Sequence, residues 1–354
     1  MYKTKVKKIA QNLIRKNKVD VIKKSFAIKE AAEYILADEV VAFPTETVYG
    51  LGANALKEEA VSKIFKAKGR PSDNPLIAHI ASKDQLPALI EGEIPAAAEK
   101  LIERFWPGPL TIIFKKSKKV PKITTAGLDT VAVRMPSHPV ALALIEKVNL
   151  PLAAPSANSS GFPSPTKAEH VYNDLNGKIP LIVDGGICNI GVESTVIEIE
   201  GNNVSILRPG GTPKELIKKT LGDKYQVETL NQAEVKSPKS PGMKYKHYAP
   251  HTPLWIIQAG NIENVIQQND VNNENTLLIL SSETLRGLEQ DSLRAKIQDM
   301  GSIKDLEHIA KHLYNILREA DEQDFELVLI EEVPDKEIGE AVMNRLKKAA
   351  VKII

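Results

Sequence analysis

At 354 residues the chain has room for two domains, and 42% hydrophobic against 26% charged residues is an ordinary soluble composition able to form a sizeable core. The net charge of +2, from 47 Lys and Arg against 45 Asp and Glu, is too small to announce a nucleic-acid binder. A single cysteine, Cys188, excludes an intramolecular disulfide and any cysteine-based metal cluster, and no apolar run reaches the roughly 18 residues that a bilayer crossing needs.

The first 24 residues carry nine Lys and Arg against one acid, Asp20, with no hydrophobic segment behind them, so a cytoplasmic location is expected. This basic stretch reads as a solvated helix or mobile arm with the charge to attract a polyanion such as tRNA. Ile28, Ala31, Ala32, Ile35 and Leu36 then form the stripe of a helix packed on a sheet. The apolar run Val40 to Phe43 reads as a buried strand that stops at Pro44, which has no amide for a ladder. After it the spacing predicts a turn in which Thr45, Glu46, Thr47, Tyr49, Gly50 and Gly52 gather hydroxyls, a carboxylate and flexible backbone at a strand end.

A helix over 58–68 ends in Lys66-Ala-Lys68-Gly-Arg70-Pro, which releases cations and a glycine from its C-terminus, and a strand over 76–80 carries His79. Helices are predicted over 95–105 and 138–148, and strands over 110–114, 130–135, 152–154, 181–183, 195–199 and 204–207. Arg134 lies inside the apolar strand, where an unpaired cation is costly, so a carboxylate partner is required. Periodicity breaks over 228–253, a proline-dense linker that also holds Tyr245, His247 and Tyr248. Beyond it, strands over 254–257, 277–280 and 327–330 alternate with helices over 262–267, 303–319 and 338–351, the pattern of a small parallel three-layer domain. No Gly-x-Gly-x-x-Gly and no Walker loop accompanies it, so its shape licenses no nucleotide site.

The pair Pro-Thr-Glu-Thr-Val-Tyr-Gly-Leu-Gly (44–52) and Lys-Gly-Arg-Pro-Ser-Asp-Asn-Pro-Leu (68–76) resembles the YrdC-like family of L-threonylcarbamoyl-AMP synthases, and the whole length resembles its two-domain form. The resemblance implies an α/β fold: a YrdC-like mixed twisted-sheet domain over 19–227 behind a basic extension over 1–18. A linker over 228–253 is then expected to fold over the active site, ahead of a smaller Rossmann-like α/β domain over 254–354. It further implies synthesis of L-threonylcarbamoyl-AMP from L-threonine, bicarbonate and ATP with release of pyrophosphate. Magnesium would ride on the phosphates, and a threonylcarbamoyl-transferase complex acting on tRNA would consume the product, direct tRNA contact staying open.

Carried over residue by residue, the resemblance makes Lys68 and Arg70 catalytic and ATP-binding, joined on the nucleotide by Asn74, Thr130, Ser156, Asn158, Ser164, Arg208 and His247. Thr47, His79, Arg134, Ala154 and Ser194 are expected to hold L-threonine. A guanidinium fork and an ammonium suit phosphate oxygens, and cations and donors should dominate over nucleophiles in a reaction with no covalent intermediate. Arg134 thus has two readings, a structural ion pair or the threonine carboxylate. No His, Asp and Glu cluster has zinc-site spacing, so no protein metal site is expected. An RNA-binding module and a carbamoyl-handling enzyme with another acceptor are the alternatives.

Overall fold

The computed structural model describes residues 2–230, 248–268, 273–288, 293–323 and 325–354. The backbone divides into two units, Met1–Ser160 with Ser164–Tyr245, and Gly161–Pro163 with Lys246–Ile354.

The described strands of the first unit are β1 (Lys5–Lys8), β2 (Val41–Pro44), β3 (Tyr49–Asn54), β4 (Ile77–His79), β5 (Leu110–Lys115) and β6 (Thr130–Arg134). They continue with β7 (Leu152–Ala153), β8 (Leu181–Asp184), β9 (Thr195–Glu200), β10 (Asn203–Arg208) and β11 (Gln226–Thr229). Together they form one mixed sheet in the order β1-β8-β2-β3-β7-β4-β6-β5-β9-β10-β11. Its helices are α1 (Gln11–Arg15), α2 (Val19–Lys23), α3 (Phe26–Leu36), α4 (Glu58–Lys68), α5 (Ala96–Phe105), α6 (Pro139–Val148), α7 (Ala168–Leu175) and α8 (Lys214–Leu221).

Strand alternation sorts the core between the two faces of the sheet. Val40, Ala42, Tyr49, Leu51, Ala78, Ile112, Val131, Val133 and Ile197 pack under α4, α5, α7 and α8. On the opposite face Val41, Phe43, Leu181 and Val183 pack under α2, α3 and α6, while Ile77, Ile113, Ala132, Val196 and Leu207 form a separate cluster. Each Val, Leu, Ile or Phe side chain so removed from water contributes about 1.5–3 kcal/mol. The stripe anticipated on α3 is its buried face, and Ser25 caps the helix by accepting from the amide of Ile28 at 3.3 Å.

Two expectations are corrected. The basic N-terminus is not a free arm, since β1 pairs in parallel with β8, from Lys5 opposite Leu181 to Lys8 opposite Asp184; α1 buries no residue, as a solvated helix would, but Ile22 of α2 is fully buried. Lysines suit an outer strand because they discourage pairing with another chain, and Lys5 and Lys7 lie 2.7 and 3.6 Å from Glu30. Second, the turn after Pro44 is short, and Tyr49–Asn54 is a wholly buried strand antiparallel to β2. Its glycines serve close approach. A Cβ at Gly52 would lie 2.5 Å from the Phe43 ring, and one at Gly50 would lie 3.2 Å from the Ala154 Cβ.

The second unit contains β12 (Leu254–Ile257), α9 (Ile262–Ile266), β13 (Thr276–Leu280), α10 (Ser282–Gly287), β14 (Lys296–Asp299), α11 (Leu306–Glu322), β15 (Leu327–Glu331), α12 (Ile338–Ala349) and β16 (Lys352–Ile353). The sheet is parallel throughout, in the order β14-β13-β15-β12-β16. Helix α11 begins later than its periodicity suggests because Asp305 caps it, accepting from the amide of His308 at 3.0 Å. Strand β14, Lys-Ile-Gln-Asp, has no fully buried residue, which is why no apolar pattern betrayed it.

Candidate active site

All the site residues anticipated from sequence that are described lie in the first unit, and they fall into adjoining groups. His247 lies outside the described residues.

The first group forms where α4 ends. Gly69 takes the left-handed conformation, φ +62°, that stops a helix without a steric penalty. Lys68, the last helical residue, is thereby buried, and its Nζ donates to the carbonyls of Ser156 at 2.6 Å and Asn158 at 2.5 Å. Ser156 Oγ donates to Asn158 Oδ1 at 2.5 Å. Just beyond the glycine, Arg70 Nη2 makes long bonds of 3.4 Å to the carbonyls of Asn74 and Pro75. Asn74 is 1% exposed, yet among the described residues neither its amide nitrogen nor its amide oxygen has a hydrogen-bond partner. Leaving such a group unmatched costs roughly 1–3 kcal/mol.

Parity explains the second group. On β4, β5 and β6 the residues sharing a face with Ile77, Ile113 and Ala132 are His79, Thr111 and Arg134. Register then aligns them, with Arg134 opposite His79 on one side and opposite Thr111 on the other. Thr130 shares that face but sits four residues away, about 13 Å along β6. Arg134 is 3% exposed, and its three nitrogens are all engaged. Nε donates to the Gly108 carbonyl at 3.2 Å, Nη1 donates to Thr47 Oγ1 at 3.0 Å, and Nη2 lies 2.6 Å from Glu46 Oε1. The required carboxylate partner is therefore within the chain.

His79 Nδ1 donates to the Ile77 carbonyl at 3.1 Å, since that oxygen can only accept. Burial, reinforced by the Arg134 charge, lowers its pKa to about 3, so the ring is neutral. Ala154 is tied to the same carbonyl through its amide at 3.0 Å.

The third group adjoins through Thr111, whose hydroxyl lies 2.8 Å from that of Ser194. Arg208 grips Ser194, with Nε and Nη2 donating to its carbonyl at 3.2 and 2.9 Å and Nη2 to its hydroxyl at 3.1 Å. A bulge between Ile206 and Arg208 allows this reach. Ser164 Oγ donates to Glu193 Oε1 at 2.5 Å. The first group is tied in by β3, since the Ala157 amide donates to the Tyr49 carbonyl at 2.8 Å and Gly50 bridges Ser156.

No site role was legible in the sequence for Glu46, Thr111 or Glu193. Glu46 was visible as a carboxylate between two threonines of the motif, and Thr111 as the lone hydroxyl in the run Leu-Thr-Ile-Ile-Phe. Neither had a local cue to its partner.

Comparison with known proteins shows the family. A family model described as Telomere recombination, covering Sua5, YciO and YrdC, matches residues 33–210, and one described as Threonylcarbamoyl-AMP synthase, C-terminal domain, matches residues 212–351. The threonylcarbamoyl-AMP synthase of Pyrococcus abyssi is 47% identical over 332 residues, 91% of this chain and 94% of its own length. That of Bacillus subtilis is 49% identical over 327 residues, 91% and 92%. A crystal structure of P. abyssi Sua5 complexed with L-threonine superposes with a TM-score of 0.82 at 43% identity, covering 100% of both chains. The chain, carrying both the YrdC-like and the C-terminal part, belongs to the threonylcarbamoyl-AMP synthase family.

Proposed function

We propose that the first unit makes L-threonylcarbamoyl-AMP and pyrophosphate from L-threonine, bicarbonate and ATP, for threonylcarbamoyladenosine modification of tRNA beside the anticodon. The identity to threonylcarbamoyl-AMP synthases across 91% of the chain carries this reading. In it the threonine nitrogen takes up bicarbonate carbon with loss of water, and an oxygen of the resulting carbamate attacks the α-phosphorus as pyrophosphate leaves.

Lys68 and Arg70 are assigned to the phosphates, where cations neutralise charge that builds up as the bond to pyrophosphate breaks. The unmatched amide of Asn74 supports a nucleotide contact beside them. Thr130, Ser156, Asn158, Ser164, Arg208 and His247 are assigned to the rest of ATP, and Thr47, His79, Arg134, Ala154 and Ser194 to threonine. Because Lys68 and Arg134 are held by buried partners, their charges need little reorganisation when substrate arrives. We assign magnesium to phosphate oxygens and water, as its preference for octahedral oxygen ligands and retained waters favours. The product is handed to a threonylcarbamoyl-transferase complex, in the cytoplasm; no helix among the described residues is long and apolar enough to cross a membrane.

The test is pyrophosphate release by the purified full chain. It is expected to require threonine, bicarbonate and magnesium together, and release indifferent to threonine overturns the assignment.

A further inference from the structure

The assignments to threonine above contain one imbalance. A free amino acid is a zwitterion, and burying it requires partners for both charges. Thr47, His79, Arg134 and Ser194 offer hydroxyls, a neutral imidazole and a cation, none of them negative. Resting on the reading of this pocket as a threonine site, we propose that Glu46 is the missing counter-charge: its carboxylate receives the α-ammonium group while Arg134 receives the carboxylate.

Three observations carry this. Glu46 is 5% exposed, so its charge is largely withdrawn from water. One oxygen, Oε1, makes an ionic contact of 2.6 Å with Arg134 Nη2, and among the described residues neither carboxylate oxygen accepts a hydrogen bond. A carboxylate oxygen in that situation calls for an N–H or O–H group, and an ammonium is all donor.

The surrounding turn is built to hold the carboxylate still. Arg134 Nη1 donates to Thr47 Oγ1, which lies 2.8 Å from Thr45 Oγ1, and Thr45 Oγ1 donates to the Val48 carbonyl at 2.6 Å. The amides of Thr47 and Val48 both donate to Thr45 Oγ1 at 3.2 Å. The Glu46 carbonyl accepts from Ile190 at 2.8 Å and the Thr47 carbonyl from Gly191 at 3.2 Å. Glu46 and Arg134 thus form a fixed pair of opposite charges, net neutral, complementary to a ligand that is also net neutral with its charges side by side.

The chemistry gives this contact a direction. In RNH3+ + HCO3– → RNHCOO– + H2O + H+, the nitrogen loses its positive charge as the new N–C bond forms. Contact with Glu46 is therefore strongest before carbamate formation, so it selects and orients the free amino acid and weakens as the nitrogen is acylated. Removal of the charge should raise KM for threonine more than it lowers kcat.

The experiment is calorimetric titration of the full chain with L-threonine and with 2,3-dihydroxybutanoate, which has a hydroxyl in place of the amine. Wild type is expected to prefer threonine. Glu46→Gln is expected to weaken threonine binding roughly ten- to hundredfold, about 1.4–2.8 kcal/mol, while dihydroxybutanoate and a non-hydrolysable ATP analogue bind as before. Equal weakening of both amino-acid-site ligands overturns the proposal, because Glu46 would then act only by holding Arg134. Unchanged threonine binding overturns it too. If Glu46→Gln does not fold, Glu46→Asp keeps the charge and shortens its reach; weakened threonine binding beside unchanged dihydroxybutanoate binding supports the contact, and parallel loss overturns it. A wild-type chain that binds ATP analogue but not threonine would defeat the pocket reading itself, an outcome separate from all of these.

Discussion

Arg134 bonds Gly108, Thr47 and Glu46 simultaneously from a position almost sealed from solvent. Arg134→Ala is therefore expected to do two things, abolish tight threonine binding and strand the Glu46 charge, at about 3–5 kcal/mol of stability. Replacing both partners, Glu46→Gln with Arg134→Met, should recover most of that stability without restoring threonine binding; urea denaturation beside calorimetry separates the effects. Lys68→Ala should cut turnover roughly 10²–10³-fold and lose about 1–3 kcal/mol through the freed carbonyls of Ser156 and Asn158. Arg70, half-exposed and with bonds of 3.4 Å to the carbonyls of Asn74 and Pro75, should lose activity on conversion to Ala with little change in Tm.

Acid sensitivity also belongs to single residues. Burial lowers His79 to about 3 and His138 to about 4, both below the ordinary 6.5. Between those limits the unfolded chain binds more protons than the folded one, so stability is full above about pH 6.5 and falls as pH drops toward 4. His138 caps α6 by accepting at Nδ1 from the Val140 amide at 3.2 Å, a role asparagine can serve. His138→Asn should flatten the fall in urea midpoint between pH 7 and pH 4.5, and an unaltered slope would assign the acid loss elsewhere.

Among the elements, β3 uses glycine for close packing rather than for a turn. Gly50 and Gly52 let Phe43 of β2 lie across the neighbouring strand, and the fully buried ring fills the space that side chains there would take. Gly52→Val is expected to cost about 1–3 kcal/mol by overpacking. Phe43→Leu in the same chain should return part of it, since the clash is with a side chain rather than backbone; a thermal-melt cycle checks the coupling. Because β2 and β3 flank the Thr45–Val48 turn, this packing also sets where Glu46 and Thr47 stand.

For the molecule as a whole, each unit has its own sheet and buried core. In the second unit Glu331 closes β15 against β13. Its carboxylate accepts from the Ser281 amide at 2.7 Å, the Ser281 hydroxyl at 3.1 Å and the Thr284 hydroxyl at 2.8 Å. Glu331→Ala leaves the Ser281 amide unmatched at about 1–3 kcal/mol, while the Ser281 hydroxyl keeps Thr284 Oγ1 as an acceptor at 3.1 Å. Hydrogen exchange should show amides of β13 and β15 losing protection before those of β4, β5 and β6.

Local pattern was enough to determine the order of most helices and strands, because apolar spacing records which face each element buries. It also placed Lys68 at a helix end and Arg134 within a buried strand, and short motifs sufficed to indicate the family. Pairing across the sheet was decided by tertiary structure alone. Glu46 and Arg134 are 88 positions apart in sequence, and Thr111 reaches Ser194 across 83; both meetings depend on the order β3-β7-β4-β6-β5-β9. Strand order and register arise from how all the faces pack at once, so no window of residues contains them. The lone strand hydroxyl and the carboxylate between two threonines acquired partners only when the sheet closed around them.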